Sequence, residues 1–258
     1  MLESLQTTDF LVPANFLVLT AVLFVIVFLR YLLISSAFHY FIHVLFRSQL
    51  DQRILNHHRF SRSQMKSEIL WSTVTSLIFA FSGVLMVVSW QKGWTQLYTS
   101  WDEYTWVWIP ISFLIGLLLH DTYYYWLHRW MHQSRSIYLL VHKVHHDSII
   151  TNAMTSFSFH PIESIFQAII IPLIVFVIPM HWSVLLLLLV LMTVSGTVNH
   201  AGAEVYTVKW KTHPLWKWVI GASHHDLHHK KFNHNYGLYF TFWDRWMGTE
   251  YDEPGHKS

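Results

Sequence analysis

Histidines at helical spacing are the residues of this chain whose type and position are best suited to chemistry. His128 and His132 are four residues apart, and His142 is followed by His145 and His146 at three and four residues. Residues three or four apart lie on one face of a helix. Neutral imidazole nitrogens on one face can converge on a metal ion, so this spacing predicts a metal site.

A third cluster near the C-terminus has the same format. His225 is followed by His228 and His229 at three and four residues, and His200 ends an apolar run. Eight or nine imidazoles are too many for one ion, because a mononuclear site takes about three to six protein ligands, whereas two ions ~3.5–4 Å apart could use them. Imidazole suits iron, zinc, copper and nickel, so the spacing alone does not choose the metal.

Cysteine is absent from the sequence, which excludes disulfides and every thiolate site. A metal must therefore be held by imidazole, carboxylate and water. The only Glu-x-x-His spacing in the sequence is Glu253 to His256, which contains Pro254 and Gly255 in the C-terminal tail. The paired helical Glu-x-x-His motifs of the soluble carboxylate di-iron bundle are therefore absent.

The composition indicates what surrounds the histidines. The chain has 258 residues, of which 53% are hydrophobic and only 12% are charged, against about 25% charged in an average soluble domain. This composition is typical of a membrane protein. The net charge of +2 is too small to indicate a nucleic-acid partner.

The apolar runs predict an all-α fold, an integral membrane helical bundle with three spans and a helical hairpin. The spans cover about residues 16–36, 69–90 and 106–127, and each has roughly the 20 residues that a bilayer crossing needs. The hairpin covers 161–200 with a break at Met180 and His181, and whether it crosses fully is open. A histidine-rich helical cap is expected over 201–258, with one helix across 216–231. We treat 1–258 as a single membrane domain, with the spans in 1–127 and the catalytic region in 128–258.

Positive charges predict the orientation of the bundle. The loop between the first two spans contains five basic residues, whereas the next loop contains one Lys beside two acidic residues. The positive-inside rule then places the first loop and every histidine cluster in the cytoplasm. The five basic residues of the first loop are Arg47, Arg53, Arg59, Arg62 and Lys66.

His39 and His43 continue the first span, and we favour an interfacial helix over metal ligation for them.

The pattern HRWMH, HKVHH and HHDLHH, followed by NYG and WDRWMGT, resembles the fatty acid hydroxylase and sterol desaturase superfamily of integral membrane di-metal oxygenases. The resemblance extends from about Asp121 to Glu250. HPIE at 160–163 and NHAG at 199–202 make the chain more similar to the sterol C5-desaturase-like branch. The resemblance implies a non-haem centre of two iron ions, O₂ as oxidant, and electrons from a separate donor, whether an NAD(P)H-linked reductase, a ferredoxin or a cytochrome-b-type carrier. The implied metal ligands are His128, His132, His142, His145, His146, His200, His225, His228 and His229.

Four further residues are additional ligand candidates. Glu204 stands where some family members have a second histidine, and it could supply an oxygen or leave that position to water. His224 competes with His225 for the inward direction, and we prefer His225 because it keeps the HxxHH spacing. His160 and His234 could contact the metal or its ligands, or could serve as capping and packing residues.

Three carboxylates could orient ligand histidines by accepting their distal N–H. Asp121 lies two helical turns before His128, while Asp147 and Asp226 adjoin ligand histidines. Each could equally be a solvated or interfacial charge. Aromatic residues between 123 and 130 could wall a path for an apolar substrate, although an interfacial aromatic belt explains them as well.

The predicted function is O₂-dependent hydroxylation or desaturation of an unactivated C–H bond in a membrane lipid. The substrate (sterol, fatty acyl chain, carotenoid or another lipid), its regiochemistry and the oligomeric state stay open. A membrane zinc metallohydrolase is the first alternative, because the same imidazoles would support it and it needs no redox partner. Zinc is also possible in the purified protein, since purification can exchange iron. A non-enzymatic bis-histidine haem protein is the second. We expect a multi-pass protein of a bacterial inner membrane rather than of an endoplasmic reticulum, because the chain is compact and its tail lacks a dilysine-type signal.

Overall fold

Helices make up nearly all of the regular structure. The computed structural model describes residues 2–56, 61–207, 209–210 and 213–252, so Arg59 and the C-terminal tail PGHKS at 254–258 lie outside the described residues. The elements, in chain order, are α1 (Leu2–Thr7), α2 (Pro13–Tyr40), α3 (Arg47–Leu50), α4 (Arg62–Gln91), β1 (Leu97–Tyr98), α5 (Trp108–Met131), α6 (Arg135–Ile137), α7 (Lys143–His146), α8 (Pro161–Val177), β2 (Met180–His181), α9 (Trp182–Asn199), α10 (Ala222–Lys231) and α11 (Phe242–Trp246). A π-helical turn at Phe41–Leu45 extends α2, and another at Tyr138–His142 precedes α7.

Three helices of the described chain are long and apolar enough to cross a membrane: Pro13–Leu45, α4 and α9. One face of α2 exposes a row of large apolar side chains, among them Leu17, Val22 and Leu33, as expected for contact with lipid. Helix α8 is apolar but has only 17 residues. Helix α5 has 24 residues but carries His120 and Asp121 in its interior, and it is not among the three.

Main-chain hydrogen bonds fasten one end of the bundle. Strand β1 pairs in parallel with β2, and the Gln96 N–H donates to the Val175 carbonyl at 2.7 Å. The Trp108 indole N–H donates to the Pro179 carbonyl at 2.8 Å. These contacts join the start of α5 to the turn between α8 and α9. The C-terminus of α5, the N-terminus of α8 and the C-terminus of α9 therefore meet at the opposite end of the bundle.

The main hydrophobic core lies between α5, α8 and α9. Val175, Met180, Leu185 and Leu188 are its most buried members. Gly116 of α5 allows close packing here, since a Cβ at this position would lie 3.0 Å from the Met180 side chain. The core thus fixes α5 against the α8–α9 hairpin, and with it the histidines at the helix ends.

The helix predicted across 216–231 is shorter than expected, because its first part is a 3₁₀ turn followed by an extended segment. Trp216–Trp218 form a single 3₁₀ turn, and Val219 forms an antiparallel bridge with Phe240. The Ile220 N–H donates to the Tyr239 carbonyl at 2.9 Å. Pairing with a distant segment thus overrides the local helical pattern, and α10 begins only at Ala222.

Candidate metal centre

The structure brings together all nine histidines that the sequence singled out, in two groups. Within each group the candidate ligand atoms lie within 4.8 Å of one another. Eight of the nine side chains are buried, and His132 is half-buried. The five-histidine group consists of His128, His132, His142, His146 and His228; the four-histidine group consists of His145, His200, His225 and His229.

Helix ends position these side chains. His128 lies in the last turn of α5, and His132 follows as its C-cap. His200 directly follows α9 as its C-cap. Helix α10 is polar except for Ala222 and Leu227, yet Ser223, Asp226 and all three of its cluster histidines are buried. A polar helix is buried here because its imidazoles face the other histidines rather than an apolar core.

Main-chain carbonyls determine the tautomer of several cluster histidines. In the five-histidine group, Nδ1 of His128 lies 2.9 Å from the Tyr236 carbonyl, and Nδ1 of His228 lies 2.7 Å from the His234 carbonyl. In the four-histidine group, Nδ1 of His200 lies 2.7 Å from the Gly196 carbonyl. A carbonyl only accepts, so each of these Nδ1 atoms carries the proton and each Nε2 presents a lone pair.

The Nε2 lone pairs then face one another at short range. The Nε2 atoms of His128 and His142 are 3.1 Å apart, as are those of His146 and His228. In the other group, Nε2 of His200 lies 2.9 Å from Nε2 of His225. Lone pairs at this separation repel unless a proton or a cation lies between them. The donor set therefore fits one metal ion in each group, with nitrogen ligands alone.

Burial keeps the cluster histidines neutral. It lowers the pKa of His200 to about 4 and, with the nearby His128, that of His132 to about 2. Burial, followed by the proximity of other histidines, holds the pKa of His145 and His225 well below the usual range. A neutral imidazole is the form that binds a metal, so the site needs no proton release near neutral pH.

Glu163 is a site residue that the sequence analysis missed. Its Oε1 lies 2.9 Å from Nδ1 of His142, and both side chains are fully buried. The Gln167 amide also donates to this oxygen, at 3.0 Å. Glu163 lies near the start of α8, 21 residues after His142, so no helical spacing connects the two. Its only signal was its place in the HPIE motif.

The four additional ligand candidates lie outside both groups. His160 is the N-cap of α8, where its Nδ1 accepts from the Ile162 N–H at 3.3 Å. The Glu204 carboxylate accepts from the main chain of Tyr206 and from Ser223. Nε2 of His224 lies 3.7 Å from the Asp244 carboxylate. The ring of His234 packs against Tyr251, with centroids 5.2 Å apart.

The three aspartates expected to orient histidines contact other groups. Asp121 accepts from the Tyr239 N–H at 2.8 Å. Asp147 is exposed and lies 2.6 Å from the Lys143 ammonium group. Asp226 is buried and accepts from Asn56, Thr151 and Lys230. Among the described residues, Glu163 is the carboxylate that contacts a cluster histidine.

His43, which the sequence placed at an interface rather than in the site, also lies outside the two groups. Its Nε2 is 3.1 Å from the Ala201 carbonyl, beside the residue that follows α9. Gly202 has a φ of +71° and would bring a Cβ within 2.8 Å of the Thr151 carbonyl. The extension of α2 therefore packs against the backbone next to His200.

An apolar groove of about 600 Å³ runs along α5 and α8. Three of the aromatic residues from the stretch 123–130 line it, namely Tyr123, Trp126 and Trp130. Trp130 lies midway between His128 and His132 on the chain and packs against Phe166, with ring centroids 5.4 Å apart. The groove thus reaches the turn of α5 that carries the first histidine pair, on the opposite face of that helix.

Comparisons with known proteins agree on the type of protein. A family model described as fatty acid hydroxylase matches residues 113–249. The Delta(7)-sterol 5(6)-desaturase ERG3B of Gibberella zeae is 31% identical over 219 residues, which cover 85% of this chain and 64% of that protein. The corresponding ERG3 enzyme of Candida albicans is 30% identical over 253 residues, which cover 96% and 61%. Lathosterol oxidase of Mus musculus is 28% identical over 229 residues, which cover 88% and 72%.

This chain spans less than two thirds of the length of the two fungal relatives. No solved structure matches it. The three relatives are fungal and mammalian, so they give no support to the expectation of a bacterial inner membrane.

Proposed function

Because the chain belongs to the fatty acid hydroxylase family, we propose that it is a membrane oxidoreductase that desaturates a lipid of the sterol type with O₂ at a centre of two iron ions. The name of the Gibberella zeae relative, a sterol 5(6)-desaturase, favours desaturation over hydroxylation. The observation that carries the proposal is the sorting of nine neutral imidazoles into two groups, in which carbonyl-bound Nδ1 atoms leave the Nε2 lone pairs facing inward.

The donor set accounts for the choice of chemistry. Two iron ions held there would supply the redox chemistry that reduces O₂ and oxidises a C–H bond. Desaturation takes two hydrogens from the substrate, and two electrons and two protons from a donor complete the reduction of O₂ to two waters. We propose that the donor is a separate NAD(P)H-linked reductase, a ferredoxin or a cytochrome-b-type carrier.

The chain's own residues would place the substrate and keep water away from it. The α5–α8 groove is almost wholly apolar, which suits a lipid that enters from the bilayer. Tyr124 packs against His128, with ring centroids 5.3 Å apart, and lies in the hydrophobic core. An apolar lining next to the metal ligands would hold a hydrocarbon close to the centre and exclude bulk water.

Zinc hydrolysis is the second candidate, because imidazole binds zinc as readily as iron. A bis-histidine haem fits the geometry less well. A porphyrin fills the four equatorial positions around its iron, whereas each group here surrounds its centre with four or five imidazoles within 4.8 Å of one another.

Metal content and turnover test the proposal together. Protein purified in mild detergent from iron-replete cells is analysed by inductively coupled plasma mass spectrometry and then assayed in lipid nanodiscs with a Δ7-sterol, O₂, NADPH and a reductase system. We expect near two irons per chain, O₂-dependent formation of a diene, and loss of metal and product in His145→Ala. His213→Ala is the matched control, because His213 is exposed and caps the Leu215 N–H at 3.2 Å, away from both groups. Stoichiometric zinc with no O₂ consumption would favour the hydrolase, and metal content that is unchanged in His145→Ala would remove the histidine clusters from the site.

A further inference from the structure

One short loop supplies the carbonyls for two ligands of the same group. The loop Phe232–Gly237, here called the 232–237 loop, follows α10. Its His234 carbonyl accepts from Nδ1 of His228, and its Tyr236 carbonyl accepts from Nδ1 of His128. Both histidines belong to the five-histidine group. The four-histidine group uses carbonyls from other segments, those of Ser158 and Gly196.

We propose that Asp244 and Asn235 are positioning residues for the ion of the five-histidine group alone, because they fix the two loop carbonyls that orient His128 and His228. Among the described residues, neither of these two side chains forms a hydrogen bond with a cluster imidazole. The inference rests on the proposed two-metal centre, and it adds residues that act through the backbone rather than as ligands.

Asp244 holds the far side of the 232–237 loop. Its Oδ1 accepts from the Tyr236 N–H at 2.8 Å, and its Oδ2 accepts from the Gly237 N–H at 2.9 Å. The carboxylate is fully buried. Gly237 permits this approach, because a Cβ there would lie 2.6 Å from the Ile220 side chain and 3.0 Å from Asp244 Oδ2. The Gly237 N–H and the Tyr236 carbonyl belong to the same peptide unit, so the carboxylate fixes the orientation of this carbonyl.

A second contact connects Asp244 to α5 itself. The Thr249 hydroxyl donates to Asp244 Oδ1 at 2.8 Å and lies 2.9 Å from the Tyr125 hydroxyl. Tyr125 is fully buried and stands less than one helical turn before His128. The same carboxylate therefore ties the loop that orients His128 to the helix that carries it.

Asn235 determines the direction of the loop between its two carbonyls. Its backbone has a φ of +60°, a left-handed conformation that Asn adopts more readily than most residues. Its fully buried side chain donates to the carbonyls of His224 and Tyr251, each at 3.0 Å, and accepts from the Tyr251 N–H at 2.7 Å. A carboxylate at this position could not donate, so Asn235→Asp would remove the side-chain donor from both of these carbonyls.

Zn²⁺ binding to the metal-free full-length protein tests the proposal. Competition against a chromophoric chelator in detergent reports the affinity of each of two ions, without any need for turnover. Loss of an outer partner of a histidine ligand typically weakens metal binding 10–100-fold. These variants keep both carbonyls and only loosen their positions, so we expect Asp244→Asn and Asn235→Asp each to weaken the binding of one of the two ions by at most this factor and to leave the affinity for the other unchanged. Glu250→Gln is the control, since this carboxylate is on the same segment but pairs with Arg245 near the surface.

A double variant assigns the affected ion. His132→Ala removes an imidazole from the five-histidine group alone, so the ion whose affinity it lowers belongs to that group, and the remaining ion is that of the four-histidine group. Adding Asp244→Asn to His132→Ala should then leave the remaining affinity unchanged. Should Asp244→Asn fail to fold, Thr249→Val removes one donor to Asp244 and keeps its carboxylate, and a smaller weakening of the same single ion is expected.

Three results would overturn the proposal: equal weakening of both ions, no weakening in any of these variants, or further weakening of the remaining ion in the double variant. A wild-type protein that binds no metal would instead overturn the two-metal centre on which the proposal depends. The two failures are therefore distinguishable.

Discussion

Replacing the Glu163 carboxylate by an amide should weaken the binding of the metal ion in the five-histidine group. Glu163 Oε1 lies 2.9 Å from Nδ1 of His142, and neither side chain is exposed. Burial raises the pKa of Glu163, but a metal ion bound at Nε2 of His142 would favour the ionised carboxylate. The Nδ1 proton of the metal-bound His142 would then face this carboxylate. A carboxylate acceptor makes the imidazole a stronger donor to the metal and holds the ring in its orientation. Glu163→Gln keeps the size and one carbonyl oxygen but removes the negative charge.

The expected magnitude follows from the hydrogen bond that Nδ1 of the metal-bound His142 would donate to Glu163. A bond to a charged group contributes about 1.5–3 kcal/mol, and a bond between neutral groups about 0.5–1.5 kcal/mol. The exchange therefore costs about 1–1.5 kcal/mol of metal-binding free energy, which is close to a tenfold weaker Kd. Burial of both partners places the expected effect in the upper half of this range, because solvent does not compensate for the lost charge.

Chelator competition with Zn²⁺ measures this change for each ion separately. Ser164→Ala is a matched control: Ser164 is the next residue of α8, is equally buried, and bonds to Thr75 at 2.8 Å rather than to a cluster histidine. It should leave both affinities unchanged. If Glu163→Gln left both affinities at the wild-type value, or if Ser164→Ala lowered them equally, the orienting role of Glu163 would be refuted.

Three further predictions concern stability, substrate access and pH. Glu68→Ala should lower the free energy of unfolding in detergent by about 3 kcal/mol or more. The buried donors of Ser148, Asn152 and Thr155 would lose their acceptor, and each unsatisfied group costs about 1–3 kcal/mol. An unchanged denaturant midpoint would contradict this prediction. Leu173→Trp should raise the KM for the lipid substrate and leave metal content unchanged, because it narrows the apolar groove, and an unaltered KM would show that the substrate takes another route. The metal-free protein should lose stability as the pH falls below about 6.5. Burial lowers the folded-state pKa of the cluster histidines, to about 4 for His200, so the unfolded chain binds more protons than the folded chain. Each such histidine then lowers the free energy of unfolding by about 1.4 kcal/mol per pH unit. A flat free energy of unfolding between about pH 5 and pH 8 would contradict this sign.

Helical spacing was enough to single out the nine histidines that the structure brings together, and composition indicated the apolar helices around them. The runs predicted as spans at 16–36 and 69–90 form α2 and α4, which are long and apolar enough to cross a membrane. The run predicted at 106–127 forms α5, which is not among these helices, whereas the second arm of the hairpin, α9, is. The predicted break at Met180 and His181 is present as the turn between α8 and α9. These features are local, because they depend on side-chain periodicity and on the number of consecutive apolar residues. The cytoplasmic side of the clusters and the single-domain organisation stay predictions.

The sequence could not predict which residues of distant segments contact the cluster histidines. Glu163 contacts His142 only because α8 returns to the end of the bundle where α5 finishes. The carbonyls of Tyr236 and His234 carry no side-chain signal at all. Likewise, the helix predicted from 216 was displaced by a backbone pairing between Val219 and Phe240, a contact that no local pattern encodes.

The sequence by itself determined that the histidines of each cluster share a helical face, since spacings of three and four residues fix that face. Only the tertiary structure decided which histidines act together. His142 and His146 join one group while His145 joins the other, and His228 is separated from His225 and His229 in the same way. Imidazoles three and four residues apart point in directions that differ enough to reach two centres. Which centre each one reaches is set by the helices packed against it, and these are distant in the chain.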